Sequence, residues 1–311
     1  MAAIGSIRPT RSTGSSRSRS KCRRIIRTDN CVIVRIRGDD EMRDEAGIQT
    51  SETLIGTFDI LGARSMFEAT DANGAESVVA LIVRAMSDSI DGTIQKLQNL
   101  YKEVQPDGGR LKDLVERTSS YFYADTIVFI CDISEFDPIM MCFACEYFQF
   151  IAIEITRRMF AFGLPVRGCL SHGTTARYKD HNKIVVSGKA YAETIKTSDN
   201  LEFSGTVLTE KLCEVIQECV NAVKIPPLQY RLRLPCAVKD RKNKTYVTND
   251  MWCLDWIEDT DFVGERTDVW QLIFDSFTKH GKKVGDSVIG KIDNTETIVR
   301  MLIAHRKAEA Q

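Results

Sequence analysis

Two aspartates occupy positions in which an ionised carboxylate needs compensation. Asp59 lies late in the apolar run 53–61, and Asp125 separates two short β-rich runs within residues 120–131. Burying such charges costs free energy unless a partner compensates them. Two acids that meet at one edge of a sheet repel each other, and a divalent cation relieves that repulsion. Oxygen ligands suit Mg²⁺ or Mn²⁺, and two such ions beside a triphosphate suit phosphoryl transfer. The alternative is that each aspartate only turns or caps the chain locally.

The elements around these aspartates alternate between strands and helices. Hydrophobic patterning and turn residues predict the following order: strand 53–61, helix 65–104 with an interruption near 71–74, hairpin 120–131 with Asp125 at its tip, helix 138–162, strand 164–172, short strand 183–187, helix 189–198, extended run 206–208 and helix 209–223. This order predicts an α+β fold with a ferredoxin-like βαββαβ core. In that core the first strand and the central hairpin are neighbours, which brings the two aspartates to one edge.

The 311 residues divide by composition into three parts. Residues 1–50 are polar and rich in charge, with one strand-like run at 31–36. Residues 51–225 contain the predicted core. Residues 226–311 hold all three tryptophans and a final helical stretch, and we expect them to form a C-terminal elaboration packed on the core.

The N-terminal segment is strongly basic. Residues 1–27 contain eight basic residues and no acid, in a chain with a net charge of −1. Such composition predicts a disordered tail, with contact to nucleic acid or a membrane surface as the alternative. The segment lacks the apolar run of a secretory signal.

The ten cysteines do not resemble a disulfide framework. Cys142 and Cys145 form a C-x-x-C, but they lie in a long apolar segment with no further ligand nearby in sequence. We expect them to pack as small hydrophobic residues in a reducing cytoplasm. Glu146 and Glu154 interrupt the most apolar stretch, 139–155, so it predicts a core helix and no membrane insertion.

Four segments, in order along residues 53–215, resemble motifs of the class III nucleotide cyclases. They are 58–62 (FDILG) for the first metal strand, 123–128 (YADTIV) for the hairpin with the second metal aspartate, 166–173 (VRGCLSHG) for the following strand and 188–193 (GKAYAE) for the next helix. Within that superfamily the style of the motifs is most similar to the bacterial pyrimidine cyclases of the Pycsar anti-phage system. The resemblance implies that Asp59, the Ile60 carbonyl and Asp125 hold two Mn²⁺ or Mg²⁺ ions, and that the protein is a homodimer.

Departures from the purine-cyclase pattern indicate the substrate. Tyr121 and Val185 stand where purine cyclases have base-reading Lys and acidic residues. Ala192 and Lys196 stand where Asn and Arg usually steady the transition state. The resemblance therefore gives Tyr121 and Lys196 as candidate nucleotide contacts. Arg64, just past the first strand, is a third candidate that could reach phosphate. The alternatives are a core role for Tyr121 and a solvated loop role for Arg64.

The expected function is conversion of UTP to 3′,5′-cyclic UMP and diphosphate in anti-phage defence. The product would act as a second messenger for a cyclic-nucleotide-sensing effector. Three alternatives stay open: a cytidylate cyclase that makes cyclic CMP from CTP, a purine cyclase with an atypical pocket, and a non-catalytic RNA-binding protein with a ferredoxin-like sheet.

Overall fold

A computed structural model describes most of the chain. The described residues are 24–28, 31–35, 47–69, 72–101, 109–180, 183–223, 230–243, 245–257 and 268–309. Of the basic segment 1–27, predicted to be a disordered tail, residues 1–23 lie outside these ranges, and residues 24–27 belong to the first strand.

Ten strands and eight α-helices account for the described part of the chain. The strands are β1 Arg24–Thr28, β2 Cys31–Arg35, β3 Gly47–Ile60, β4 Thr118–Tyr123, β5 Thr126–Asp132, β6 Val166–Asp180, β7 Lys183–Ser187, β8 Gly205–Leu208, β9 Arg231–Asp240 and β10 Thr245–Leu254. The helices are α1 Ala63–Ala69, α2 Ala72–Tyr101, α3 Gly109–Arg117, α4 Pro138–Ala161, α5 Lys189–Asn200, α6 Glu210–Val223, α7 Val269–Thr278 and α8 Asp286–Glu309, and a 3₁₀ turn, Lys279–Gly281, follows α7.

A single sheet organises these elements, in the order β1-β2-β4-β5-β3-β6-β8-β10-β9, with β7 paired to β6. Its centre, β4-β5-β3-β6, is antiparallel throughout. The helices α1 to α3 connect β3 to β4, and α4 connects β5 to β6. This is the strand order and connectivity of a ferredoxin-like βαββαβ core, so the predicted α+β fold is confirmed.

One face of the sheet carries the main hydrophobic core. The strand residues Leu54, Phe58 and Ile60 pack there with residues of α2, α4 and α7. Phe58 lies over Gly168, its register partner on β6, where an added Cβ would meet the Phe58 ring at 2.6 Å. Only glycine therefore fits beside Phe58 at this crossing.

The opposite face is covered over β3 and β6 by α5. A smaller buried cluster of Ile55, Val128, Ile130 and Ala190 lies on this side, with Tyr121 packed against it. Because side chains alternate along a strand, Asp59 shares this face with Ile55. We call it the α5 face.

The helix α4 is the apolar core helix that the sequence predicts. Asp137 caps its N-terminus by accepting a hydrogen bond from the Met140 backbone N–H at 2.7 Å, and Pro138 opens it. α4 is long and apolar enough to span a membrane by composition, but 78% of its most apolar window is buried within the protein. This burial is typical of a core helix.

Several element boundaries differ from the sequence prediction. β3 begins at Gly47 rather than at residue 53, and the short helix α3, Gly109–Arg117, was not predicted. α1 ends at Ala69 and α2 begins at Ala72, so Gly74 lies in the first turn of α2 rather than in a break. Backbone N–H groups in a first turn lack intrahelical partners in any case, so glycine is tolerated there. β6 continues to Asp180, eight residues beyond the predicted end, because its polar second half pairs with both β3 and β7.

The C-terminal residues extend the same sheet. β10 pairs with β8, and β9 pairs with β10. α8 is anchored behind β8 by the Thr295 hydroxyl, which accepts a hydrogen bond from the Ser204 backbone N–H at 2.8 Å. At the other edge, β1 and β2 form a hairpin that pairs with β4.

Candidate active site

The strand register places four polar residues in one row across the α5 face. Tyr123 is paired with Thr126, Thr126 with Asp59, and Asp59 with Arg167. Residues paired across antiparallel strands point to the same side of a sheet. Asp59 therefore lies between a hydroxyl on β5 and a guanidinium on β6, at the end of the central strands.

Asp125 lies at the tip of the β4–β5 hairpin, beside this row. Its backbone carbonyl accepts a hydrogen bond from the Ile60 N–H at 2.9 Å, which fixes the tip to the end of β3. The preceding residue, Ala124, has φ +54°, a left-handed conformation that costs a non-glycine residue about 1–2 kcal/mol. The predicted meeting of Asp59 and Asp125 at one sheet edge is thus produced by strand register and a strained turn.

Asp59 is nearly buried and strongly held. Its side chain is 16% exposed, and Oδ2 accepts a hydrogen bond from Arg167 Nε at 2.7 Å. Burial raises the pKa of Asp59 above its usual value, and the charge and hydrogen bond of Arg167 oppose this rise. The carboxylates of Asp125 and Asp199 raise the pKa further. The site therefore carries more negative charge than Arg167 alone neutralises.

Arg167 is a site residue whose role could not be assigned from sequence. Its Nη1 donates to the carbonyls of Asp199 at 2.8 Å and Leu201 at 3.3 Å, and its side chain is only 14% exposed. These bonds fix the guanidinium, so that Nε points at Asp59. The sequence signal for this contact is the pairing of strands: Arg167 directly faces Asp59 once β3 and β6 are aligned.

The other predicted contacts lie at different distances from this row. Tyr121 is half-buried on the same face, in the next row of β4, opposite Val128. Arg64 is exposed in the first turn of α1, just beyond the end of β3. Lys196 lies on the exposed side of α5, away from its buried Thr194 side. The structure thus places Tyr121 and Arg64 near the row but does not bring Lys196 to it within one chain.

The donor set at the hairpin tip suits a hard divalent cation. Within the described ranges, no group of three or more His, Cys, Asp or Glu side chains is arranged to hold a metal ion. Asp59 and Asp125 instead supply two carboxylates. The Ile60 carbonyl belongs to the residue that directly follows Asp59. Mg²⁺ is commonly bound by one or two carboxylates plus substrate phosphates and water. Two adjacent carboxylates with surplus negative charge therefore fit such an ion.

The C-terminal segment supports the turn that follows Asp59. Lys282 Nζ donates to the Gly163 carbonyl at 2.8 Å, and the Lys282 stem packs against Gly62, which has φ +76°. Burial lowers the pKa of Lys282 to about 7. His280 Nε2 lies 2.8 Å from the Phe162 carbonyl. Residues more than 100 positions later in the chain thus fix the end of α4 and the β3–α1 turn.

A second buried link joins the C-terminal segment to Arg167. Glu202 is adjacent to Leu201, whose carbonyl accepts from Arg167, and its side chain is 3% exposed. Its carboxylate lies 2.8 Å from Lys239 Nζ and 3.6 Å from Lys291 Nζ. β9 and α8 therefore hold the backbone on which Arg167 rests.

Comparison with known proteins gave structural similarities only. No protein-family model and no curated protein matches the chain. Similar solved structures include the adenylyl cyclase CyaB from P. aeruginosa, with 12% identity, a TM-score of 0.41 and coverage of 71% of this chain and 98% of that one. The guanylyl cyclase Cya2 has 11% identity, a TM-score of 0.36 and coverage of 68% and 93%.

A further similar structure is the guanylyl cyclase domain of the RhoGC fusion protein from the aquatic fungus Blastocladiella emersonii. It has 13% identity, a TM-score of 0.37 and coverage of 68% of this chain and 98% of that chain. All three TM-scores lie below 0.5, so these similarities carry no argument about the function of this chain.

Proposed function

We propose that this protein is a divalent-metal-dependent nucleotide cyclase that converts UTP to 3′,5′-cyclic UMP and diphosphate. The observation that carries the proposal is the meeting of Asp59 and Asp125 at one edge of a βαββαβ sheet, with surplus negative charge and a fixed guanidinium beside them. Metal-dependent phosphoryl transfer requires such a pair of carboxylates more than it requires an acid–base residue.

In this proposal the chain's residues bind and orient the substrate. Asp59, the Ile60 carbonyl and Asp125 would hold two Mg²⁺ or Mn²⁺ ions, and Arg167 keeps the Asp59 carboxylate in one orientation. Ions bound there would supply neutralisation of the triphosphate and a lowered pKa of the ribose 3′-hydroxyl. The 3′-oxygen forms a bond to the α-phosphorus, the bond from α-phosphorus to the bridging oxygen breaks, diphosphate leaves, and the hydroxyl proton passes to water. Catalysis then consists of positioning and charge neutralisation.

The pyrimidine preference rests on the residues at the base-reading positions. Tyr121 is half-buried against the α5 face, and Val185 is 53% exposed on β7. Neither side chain carries the charge with which purine cyclases read their base. A cytidylate cyclase that uses CTP is the second candidate, because the same observation does not separate uracil from cytosine.

The assembly we propose is a homodimer. Lys196 lies on the exposed side of α5, and in the proposed homodimer it would contact the phosphates at the Asp59 row of the second copy. Arg64, in the first turn of α1, contacts the phosphates in its own chain. We further propose that the protein acts in the cytoplasm, in anti-phage defence of the Pycsar type, where its product is sensed by a downstream effector.

A four-nucleotide assay tests this function. Purified protein is incubated with ATP, GTP, CTP or UTP and Mn²⁺, and products are separated by liquid chromatography with mass detection. We expect cyclic UMP, and no product from Asp59→Ala. Asp132→Ala is the matched control, because Asp132 is equally buried and ion-paired elsewhere on the α5 face.

Each other result has a defined meaning. A product from ATP alone would overturn the pyrimidine assignment, and a product from CTP alone would identify the second candidate. Equal formation of cyclic nucleotide by the wild type and Asp59→Ala would exclude Asp59 as a metal-binding residue of the reaction, and absence of product from all four nucleotides would exclude the cyclase function. If no nucleotide reacts while basic residues 1–27 are needed for RNA binding, the non-catalytic RNA-binding alternative is favoured.

A further inference from the structure

The hairpin formed by β9 and β10 is sharply curved. Cys236 on β9 is paired with Asn249, which lies four residues before Cys253 on β10. In a straight ribbon the two cysteines would be separated by about 13 Å along the strands. Their sulfur atoms are instead 3.2 Å apart, although the pairing of the two strands is continuous. The ribbon itself therefore bends between these residues.

The curved hairpin is joined to the segment that follows α5. The Glu202 backbone N–H donates to the Ala237 carbonyl at 3.0 Å, and Leu201 forms a bridge pair with Val238. Leu201 also accepts a hydrogen bond from Arg167 through its carbonyl. The turn that follows β9 is thus brought close to the residues on which Arg167 rests.

Arg241, the first residue of this turn, contacts two side chains at the end of α5. Its Nε donates to Asn200 Oδ1 at 2.7 Å, and its Nη2 lies 3.4 Å from Asp199 Oδ2. The carboxylate of Asp240 accepts from the Lys242 backbone N–H at 3.0 Å, which fixes the turn on either side of Arg241. Arg241 therefore reaches α5 from an ordered turn.

Charges alternate from Arg241 to Asp59. Asp199 Oδ1 lies 3.5 Å from Arg167 Nη2, and Arg167 Nε donates to Asp59 at 2.7 Å. Arg241 and Asp199 are 61% and 41% exposed, whereas Arg167 and Asp59 are 14% and 16% exposed. The series of ion pairs thus leads from the solvent to the buried carboxylate of the candidate site.

Arg167 lies between two acids that can both attract it. Among the described residues, Asp199 forms ion pairs with Arg167 and Arg241. Removal of Arg241 would leave Arg167 to neutralise Asp199 as well as Asp59. Because opposite charges attract more strongly when no second cation shares the anion, Asp199 would then compete with Asp59 for the guanidinium.

We propose that Arg241 is a positioning residue of the Asp59 site, which neutralises Asp199 and so leaves the Arg167 guanidinium to Asp59. The inference rests on the proposed function in one respect, since the carboxylate that is held in this way is a metal ligand of the proposed cyclase. Its structural part, the hold of Arg167 on Asp59, requires neither nucleotide nor metal.

Exchange of the Arg167 Nε–H proton with water measures this hold directly. The proton is donated to Asp59, so it exchanges when that hydrogen bond opens. Nitrogen-15 NMR of the full-length protein follows its signal, which is assigned by its loss in Arg167→Lys. In Arg241→Gln the exchange should be about two- to five-fold faster than in the wild type, the range expected for loss of an exposed ion pair.

Two further variants separate charge from shape. Arg241→Lys keeps a cation beside Asp199, and the double variant Asp199→Asn with Arg241→Gln removes the competing anion. In both, exchange of the Arg167 Nε–H proton should return to the wild-type rate. The difference between Arg241→Gln and the wild type should also shrink between about 0.1 M and 1 M salt, because exposed charges are screened.

Arg300 on α8 provides the matched control. It is 58% exposed in its ion pair with Glu296, close to the exposure of Arg241. Arg300→Gln removes the same charge from the surface and should leave the exchange of the Arg167 Nε–H proton unchanged. The initial rate of cyclic nucleotide formation should fall about two- to five-fold in Arg241→Gln and stay at the wild-type value in Arg300→Gln.

Three results would overturn the assignment. They are wild-type exchange of the Arg167 Nε–H proton in folded Arg241→Gln, faster exchange that neither Arg241→Lys nor the double variant reverses, and faster exchange with no loss of rate in an active enzyme. Circular dichroism shows that each variant is folded. If the wild type forms no product from any nucleotide, the proposed function fails, and the exchange measurements still decide whether Arg241 controls the contact between Arg167 and Asp59.

Discussion

Two buried ion pairs lie at opposite ends of the α5 face. Asp59 accepts from Arg167 at 2.7 Å near the end of β3, and Asp132 accepts from Arg177 at 2.9 Å near its beginning. Their side chains are equally shielded, with exposed fractions of 16% and 14% in the first pair and 17% and 15% in the second. Asp132 is paired with Thr53, six residues before Asp59, so the pairs are about 20 Å apart.

The surroundings of the two pairs are different. Asp132 also accepts from the Ser134 backbone N–H at 3.2 Å and from Gln49 at 3.5 Å, which are neutral donors. Asp59 instead faces the carboxylates of Asp125 and Asp199, which add to the effect of burial on its pKa. Burial and ion pairing are thus common to a structural pair and to the candidate site. The surplus of negative charge is what distinguishes the site.

The largest difference should appear in activity when each aspartate is made neutral. Asp59→Asn removes a metal-binding carboxylate and should reduce cyclase activity on the order of 10²–10³-fold. Asp132→Asn should keep activity within about two-fold, since it lies about 20 Å away. Initial rates of cyclic nucleotide formation with saturating Mn²⁺ measure both.

The two variants should also differ in stability. The folded-state pKa of Asp59 is raised, so this residue favours folding when protonated at low pH, and that contribution is lost as pH rises through the folded pKa. At neutral pH without metal, Asp59→Asn should therefore melt at the same or a higher temperature than the wild type. Asp132→Asn weakens a satisfied pair and should melt lower. Equal loss of activity in both variants would contradict the distinction between the two ends.

Removing the arginines should give the next largest effect. Arg167→Gln leaves Asp59 buried among other carboxylates, and we expect it to lower the free energy of unfolding by about 2–3 kcal/mol at neutral pH. Arg177→Gln should cost about half as much, because Asp132 keeps its neutral donors. Urea unfolding followed by circular dichroism measures both changes.

The pH dependence provides a separate check on Arg167. Arg167 lowers the pKa of Asp59, so its removal raises that pKa further, and ionised Asp59 then costs more free energy in the folded state. The destabilisation of Arg167→Gln should therefore shrink as pH falls and Asp59 becomes protonated. A loss of stability that is independent of pH would mean that Arg167 acts only through its contacts with Asp199 and Leu201.

The sequence predicts the ferredoxin-like core and the position of Asp59 and Asp125, because apolar runs, turn residues and motif order are local properties. It does not predict Arg167 as the partner of Asp59, since that contact depends on the register of β3 against β6. Lys282 is likewise invisible in sequence, because its contact with Gly163 joins residues 119 positions apart. Long-range pairing, rather than local pattern, therefore determines what surrounds the two aspartates.

Substitution of Lys282 tests whether the C-terminal segment stabilises only the end of the α5 face that carries Asp59. Lys282→Met keeps most of the stem against Gly62 but leaves the Gly163 carbonyl without this donor, and it should cost about 1–3 kcal/mol. Activity should fall with it, because the turn after Asp59 loosens. Hydrogen exchange should increase at residues 61–66 and 162–165 and stay unchanged around Asp132.

The pH profile of the same variant has a definite sign. Burial lowers the pKa of Lys282 from 10.5 to about 7, so the neutral amine favours folding above the unfolded pKa, and this contribution is lost as pH falls toward 7. The stability of the wild type relative to Lys282→Met should therefore decrease between about pH 10 and pH 7. Parallel profiles for the two proteins would show that Lys282 stays charged in the folded state.

The smallest expected effect concerns the strained turn that presents Asp125. Ala124→Gly relieves the cost of φ +54°, about 1–2 kcal/mol, but adds backbone freedom worth about 0.5–1 kcal/mol to the unfolded chain. The net result should be a gain in stability of up to about 1.5 kcal/mol. Ala80→Gly, at an exposed position of α2, should instead lose about 1 kcal/mol.

If Ala124→Gly is more stable but less active, the strain fixes the Asp125 carboxylate for metal binding. If activity is unchanged, the hydrogen bond between Ile60 and the Asp125 carbonyl is sufficient to hold the tip.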